Sequence, residues 1–64
     1  MTWHQPSQGV FTTTAQGLEI VLEPTAWSVW TLPQAQAEAR RLANQAARER
    51  WAKGSLVRLT YRPA

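Results

Sequence analysis

The sequence contains no cysteine and a single histidine, His4, among its 64 residues. Without thiolates there is neither a disulfide framework nor a cysteine-based zinc site. The four carboxylates are scattered along the chain, so no group of metal ligands is visible. We therefore predict that the protein binds no metal and no cofactor. The absence of cysteine also favours the cytoplasm, where thiols are not used to build disulfides.

Groups suited to catalysis are equally scarce. The serines have only His4 as a base, and nothing in the sequence brings them to it. Glu19 and Glu23 lie four residues apart on one predicted strand face, about 13 Å along the strand, which is too far for paired glycosidase carboxylates. The three glycines are isolated, so there is no glycine-rich phosphate loop. We predict that the protein is not an enzyme.

Long hydrophobic runs are also missing. No stretch approaches the roughly 18 apolar residues of a membrane span. The N-terminal residues lack the basic start and apolar core of a secretory signal. Because the chain begins with Met1, the sequence is interpreted as a complete small cytoplasmic protein without membrane attachment.

The strongest positive signal is a long amphipathic helix, predicted over residues 31–54. Thr31 is the predicted N-cap, and Gln34 three residues later completes a capping box. Lys53 suits the negative end of the helix dipole, and Gly54 is the predicted stop. At 100° per residue, one arc collects the residues predicted to be buried: Leu32, Ala35, Ala39, Leu42, Ala43, Ala46 and Ala47.

The remaining chain is typical of short β-strands. Residues 10–14 are β-branched or aromatic, and residues 18–23 alternate with Leu18, Ile20 and Leu22 on one face. A tight turn ending at Gly17 joins them into a predicted β-hairpin. Residues 55–62 alternate in the same way and form the predicted last strand.

Two segments are less regular. Residues 26–30 are apolar and are read either as a short strand or as an extended connection, with Trp27 filling the core that the alanines leave thin. Residues 1–8 show no period and are predicted to be a flexible or loosely docked arm. The fold class is therefore α+β: one domain over residues 9–64, of order β-β-(β)-α-β, with a three- or four-stranded sheet packed on one face by the helix.

A net charge of +3 favours acidic partners. The candidate residues for contact with nucleic acid are the basic flank of the helix, its neighbouring indole and the cations that follow: Arg40, Arg41, Asn44, Arg48, Trp51, Lys53, Arg58 and Arg62. The arginines would contact phosphates and Trp51 could stack on an unpaired base. The simpler interpretation is a solvated helix face with ordinary i,i+4 pairs.

The sequence thus predicts a small, basic, non-enzymatic binding module. Nucleic acid is the first hypothesis for its partner, although no helix-turn-helix, zinc-finger or RNP motif is present. Small sheet-plus-helix modules that read DNA exist, but this comparison rests on fold alone. The alternative is a protein-interaction or assembly module, including a homodimer, that uses exposed tryptophan and sheet edges.

Overall fold

The computed structural model describes residues 2–61 and shows one mixed sheet packed by one helix. The strand order is β1-β2-β3-β4: the pairs β1–β2 and β2–β3 are antiparallel, and the last strand lies parallel to β3 at the sheet edge. The predicted α+β class is confirmed. In chain order the elements are β1 (Trp3–Ser7), β2 (Val10–Ala15), β3 (Leu18–Glu23), α1 (Leu32–Glu49) and β4 (Leu56–Thr60).

The predicted hairpin is present as β2 and β3. Gln16 and Gly17 both have positive φ angles, 53° and 73°, as a two-residue turn of this kind requires. The alternation predicted for β3 is confirmed, because Leu18, Ile20 and Leu22 are almost completely buried. These three side chains are the largest fully buried ones, and α1 packs over them.

The prediction of a flexible N-terminal arm is wrong for the residues the structure describes, because residues 3–7 form β1. Trp3 pairs with Thr13 in the ladder and stacks edge-on against Phe11, with ring centroids 6.3 Å apart. The Thr13 hydroxyl donates a 2.7 Å hydrogen bond to the Thr2 carbonyl. Pro6 and an irregularity in the register interrupt the alternation that identifies a strand in sequence.

Residues 26–30 form the extended connection rather than a strand. Trp27, predicted to fill the core, is instead 94% exposed, so that prediction is wrong. The connection turns at Thr25, whose hydroxyl accepts the backbone N–H groups of Trp27 and Ser28. Because side chain–backbone bonds close the turn locally, the indole is directed outward rather than onto the sheet.

The helix begins as predicted. Thr31 is the N-cap, its hydroxyl accepts the Gln34 N–H, and the Gln34 side chain accepts the Thr31 N–H at 3.1 Å. Both halves of the capping box are therefore formed, and Pro33 lies in the first turn, where its missing N–H leaves no bond unmade.

The helix ends earlier than predicted. Its C-cap is Arg50 in the left-handed region, with φ 55° and ψ 51°, and Gly54 lies in the following turn with φ 85°. The N–H groups of Arg50 and Trp51 both donate to the Ala46 carbonyl. Lys53 is therefore outside the helix, and Arg48 is the basic residue of its last turn.

The buried helix face matches the predicted arc at five of seven positions: Ala35, Ala39, Leu42, Ala43 and Ala46. Leu32 and Ala47 are exposed instead. Leu32 is the first helical residue, and Ala47 lies at the margin of the arc, about 80° from Ala39 at 100° per residue. Small alanines allow α1 to lie close to β2 and β3, the strands it contacts.

Strand β4 places Val57 and Leu59 toward the core and Arg58 on the opposite sheet face, as its alternation predicts. Arg58 Nε lies 3.1 Å from a Glu23 carboxylate oxygen, which makes a favourable pair of opposite charges on neighbouring strands. Strand β4 ends at Thr60, and the predicted strand residue Arg62 lies outside the described residues.

No helix within residues 2–61 is long and apolar enough to cross a membrane.

Candidate functional site

The predicted basic site is divided between two faces of the molecule. Arg40, Asn44 and Arg48 follow one another at four-residue intervals along α1 and are exposed. Four residues of helix rise about 6 Å, so these three side chains form a row about 12 Å long. Arg58 lies on the sheet face away from α1, where it pairs with Glu23. One flat ligand cannot contact both groups together.

Two of the predicted site residues are engaged by the fold. The Arg41 guanidinium donates to the Glu38 carboxylate and, at 3.3 Å, to the Gln45 side chain. The hydrogen bond to Glu38 raises the pKa of Arg41 above its ordinary value. Trp51 follows the helix, is half-buried against the core, and donates its indole N–H to Glu49 at 3.1 Å.

The Glu49 carboxylate is a local acceptor at the end of α1. Hydrogen bonds from the Gln45 side chain and the Trp51 indole lower its pKa below the ordinary value. These bonds hold Trp51 across the helix terminus rather than on the row of Arg40, Asn44 and Arg48. Stacking of Trp51 on an unpaired base would require this indole to leave both the core and Glu49.

Lys53 and Arg62 complete the predicted set. The exposed Lys53 lies in the turn before β4. Its aliphatic stem packs against Gly17, so closely that a Cβ added to Gly17 would lie 3.1 Å from the Lys53 Cγ. The Gly54 N–H donates to the Gly17 carbonyl at 2.6 Å, so this turn is held against the β2–β3 turn. Arg62 lies outside the described residues.

The sequence did not predict the surface around Trp27. Among residues 2–61, three of the four exposed large apolar side chains lie within six residues: Trp27 at 94%, Val29 at 54% and Leu32 at 43% exposure. We call residues 25–28 the Trp27 turn. The sequence did contain a signal for this turn: Trp27 follows Pro24 and lies between Thr25 and Ser28, and proline, threonine and serine favour locally closed turns.

The Trp27 turn is held in place on both sides. The Thr25 N–H donates to the Ser28 carbonyl at 2.8 Å, and the Thr25 hydroxyl accepts the Ser28 N–H at 2.9 Å. Val29 and Pro24 pack closely beside Gly9. A Cβ added to Gly9 would lie 3.2 Å from the Val29 side chain and 3.3 Å from the Pro24 ring.

On the other side, the Trp30 indole donates to the Glu23 carbonyl at 3.0 Å and lies edge-on to Tyr61, with ring centroids 5.3 Å apart.

A groove of about 590 Å³ runs between α1 and β4. Helix α1 contacts β2 and β3, so it leaves the outer strand β4 partly uncovered. Trp30, Leu59 and Tyr61 give the groove an apolar floor, and the paired Glu38 and Arg41 stand on its helix wall.

The opposite sheet face carries a second, smaller depression of about 420 Å³. It is lined by His4, Glu19 and Leu56 together with threonines of β2. Among residues 2–61, no three or more His, Asp or Glu side chains gather to hold a metal ion.

Comparisons with protein-family models, with curated proteins and with solved structures find no match to this chain.

Proposed function

We propose that this protein is a non-enzymatic protein-recognition module whose anchor is Trp27, acting in the cytoplasm. The observation that carries the proposal is a tryptophan that is 94% exposed on a turn closed by its own hydrogen bonds. Burying an indole provides a large apolar area, and tryptophan is enriched among the residues that dominate binding energy. An indole that is hardly buried by the fold remains available for a partner.

The rigidity of the Trp27 turn supports the same proposal. Ordering a flexible loop costs about 1–2 kcal/mol per residue, and that cost reduces affinity. Here Thr25 closes the turn, and contacts at Gly9 and Trp30 fix the segments on either side of it. The backbone that carries the indole is therefore ordered before binding, and only the Trp27 side chain remains to be immobilised. Val29 and Leu32 extend the apolar surface beside it.

The test is quantitative affinity capture from a nuclease-treated lysate, comparing the wild-type bait with Trp27→Ala and Arg48→Ala. Truncating a binding hot spot costs at least about 2 kcal/mol, so Trp27→Ala should weaken capture of a specific partner by about 30-fold. Arg48→Ala, an exposed change on α1, should leave that capture unchanged. If no protein depends on Trp27, this function is rejected.

The second candidate function is nucleic-acid binding by the outer face of α1. The observation that favours it is the exposed row of Arg40, Asn44 and Arg48. Within residues 2–61, neither arginine of this row forms an ion pair. Two arginines about 12 Å apart could each contact a phosphate of one strand. The set is smaller than the sequence predicted, because Arg58 lies on the opposite face of the sheet.

A titration with single- and double-stranded oligonucleotides at two salt concentrations tests this candidate. Arg48→Gln should weaken binding and reduce the salt dependence by about one phosphate contact. Arg58→Gln removes the same charge from the other sheet face and should have no effect. Absence of binding at low salt would exclude the nucleic-acid function.

A further inference from the structure

The two edges of the sheet differ in their capacity to pair with another strand. Edge strand β1 carries Pro6, which has no N–H, and a register irregularity between His4 and Ser7. Both features discourage the addition of another strand. Edge strand β4 has the sequence Leu-Val-Arg-Leu-Thr, pairs in continuous register with β3, and contains neither proline nor lysine.

The hydrogen bonds to β3 show which backbone groups of β4 face outward. Glu19 donates to the Ser55 carbonyl at 2.8 Å, and Tyr61 donates to the Glu23 carbonyl at 2.9 Å. Because the N–H and C=O of a strand residue point to the same edge and alternate along the chain, residues 55, 57, 59 and 61 face β3. The N–H and C=O groups of Leu56, Arg58 and Thr60 therefore point away from the sheet.

The side chains of β4 suit pairing with a copy of themselves. Val57 and Leu59 pack against the core on the helix side, and Tyr61 lines the neighbouring groove. Arg58 and Thr60 are exposed on the other face. Over residues 57–61 an antiparallel copy would therefore meet apolar side chains with apolar ones and polar side chains with polar ones. The exposed Leu56, on the same face as Arg58, lies outside this stretch.

We propose that β4 pairs antiparallel with β4 of a second copy of this chain, forming a continuous eight-stranded sheet with a two-fold axis at Leu59. In this register Val57 faces the partner's Tyr61, Leu59 faces the partner's Leu59, and Arg58 pairs with the partner's Thr60. A two-fold axis at Arg58 would place two like charges directly opposite each other, which is unfavourable. The interface is separate from the Trp27 turn and does not depend on the function of that turn.

The position of α1 leaves room for this dimer. A two-fold axis perpendicular to the sheet puts both helices on one face, each above its own β2 and β3. Four strand spacings of about 4.8 Å separate the helix axes by about 19 Å, and helices about 10 Å wide leave a gap of about 9 Å. Trp30, Leu59 and Tyr61 of both copies line that gap.

The ion pair on the groove wall is compatible with burial. Glu38 and Arg41 are already bonded to each other, so closing the groove leaves no unpaired charge in the interface. The short chain also favours self-association, because single cores of this size provide little stability by themselves.

The first test is light scattering across the micromolar to millimolar range, where we expect twice the 7.2 kDa mass of one chain. Thr60→Pro removes an outward N–H without removing a bond to β3, and it should weaken self-association by about tenfold or more. Thr60→Val keeps the N–H and should remain dimeric. A monomer throughout the concentration range, or a dimer unaffected by Thr60→Pro, would overturn the proposal.

The absence of native cysteine permits a second test by disulfide trapping. Leu59→Cys places two thiols at the axis in a non-hydrogen-bonded pair, with Cα atoms about 4.5 Å apart, within disulfide range. Val57→Cys lies on the same face of β4, but its thiols would be several residues out of register and should cross-link slowly. Faster trapping by Arg58→Cys than by Leu59→Cys would contradict the proposed axis.

Discussion

At the scale of single residues, the four tryptophans show how position decides the role of one side chain. Trp3, Trp30 and Trp51 are partly buried and pack against the core, whereas Trp27 is exposed. Trp30 and Trp51 also donate their indole N–H groups to nearby oxygens. Trp27 differs because Thr25 closes the chain into a turn before the indole can reach the sheet.

We predict that the same truncation, tryptophan to alanine, changes the free energy of unfolding very differently at two positions. Trp27→Ala should change the free energy of unfolding by less than about 0.5 kcal/mol, because an exposed side chain contributes little to the fold. Trp3→Ala should cost about 1–3 kcal/mol, since it removes partial burial and the edge-on contact with Phe11. Urea unfolding of both variants measures this difference. A small effect of Trp3→Ala would mean that β1 contributes no more than the predicted arm.

At the scale of elements, helix α1 has a well-formed start and a strained end. The capping box at Thr31 satisfies N–H groups that the first turn leaves free. The C-cap, by contrast, places Arg50 at φ 55°, where a side chain is unfavourable and glycine is the usual residue. The helix stops there although Gly54 is four residues away.

This geometry predicts that Arg50→Gly stabilises the protein. Glycine adopts positive φ without strain, so the free energy of unfolding should rise by about 0.5–1 kcal/mol. The matched control is Arg40→Gly in the exposed helix interior, which should lower it by about 1 kcal/mol. Thermal unfolding followed by far-UV circular dichroism compares the two variants. Destabilisation by Arg50→Gly would mean that the arginine side chain itself supports the end of the helix.

At the scale of the whole molecule, the core is a single layer between one face of the sheet and α1. The sheet supplies Leu18, Ile20 and Leu22, and the helix supplies mostly alanine with Leu42 as its one large buried side chain. The buried apolar area is small and provides little excess stability, so a charge introduced at Leu42 should not be tolerated.

We predict that Leu42→Asp abolishes folding. A 64-residue domain has roughly 3–10 kcal/mol of stability, and an unpaired buried carboxylate costs an amount in that range. Asn44→Asp introduces the same side chain on the exposed face and should shift stability by less than about 0.5 kcal/mol. The far-UV circular dichroism signal and melting temperature measure both outcomes. A folded Leu42→Asp variant would show that this helix face is not the core.

Features that depend on local patterning can be read directly from the order of the residues. The hairpin, the burial of alternate residues in β3, the capping box at Thr31 and five of seven buried helix positions follow from residue spacing and cap chemistry. These features were predictable because each one is specified within a few neighbouring residues.

Other features depend on contacts between residues that are distant in the chain, and these are set only when the chain folds. Residues 3–7 become a strand because β2 offers an edge, and Trp27 stays exposed because the connection closes on itself. The predicted basic set divides because alternation places Arg58 on the sheet face away from α1. The outward backbone groups of β4 were likewise invisible in sequence, since only the pairing of β4 with β3 determines which edge remains free.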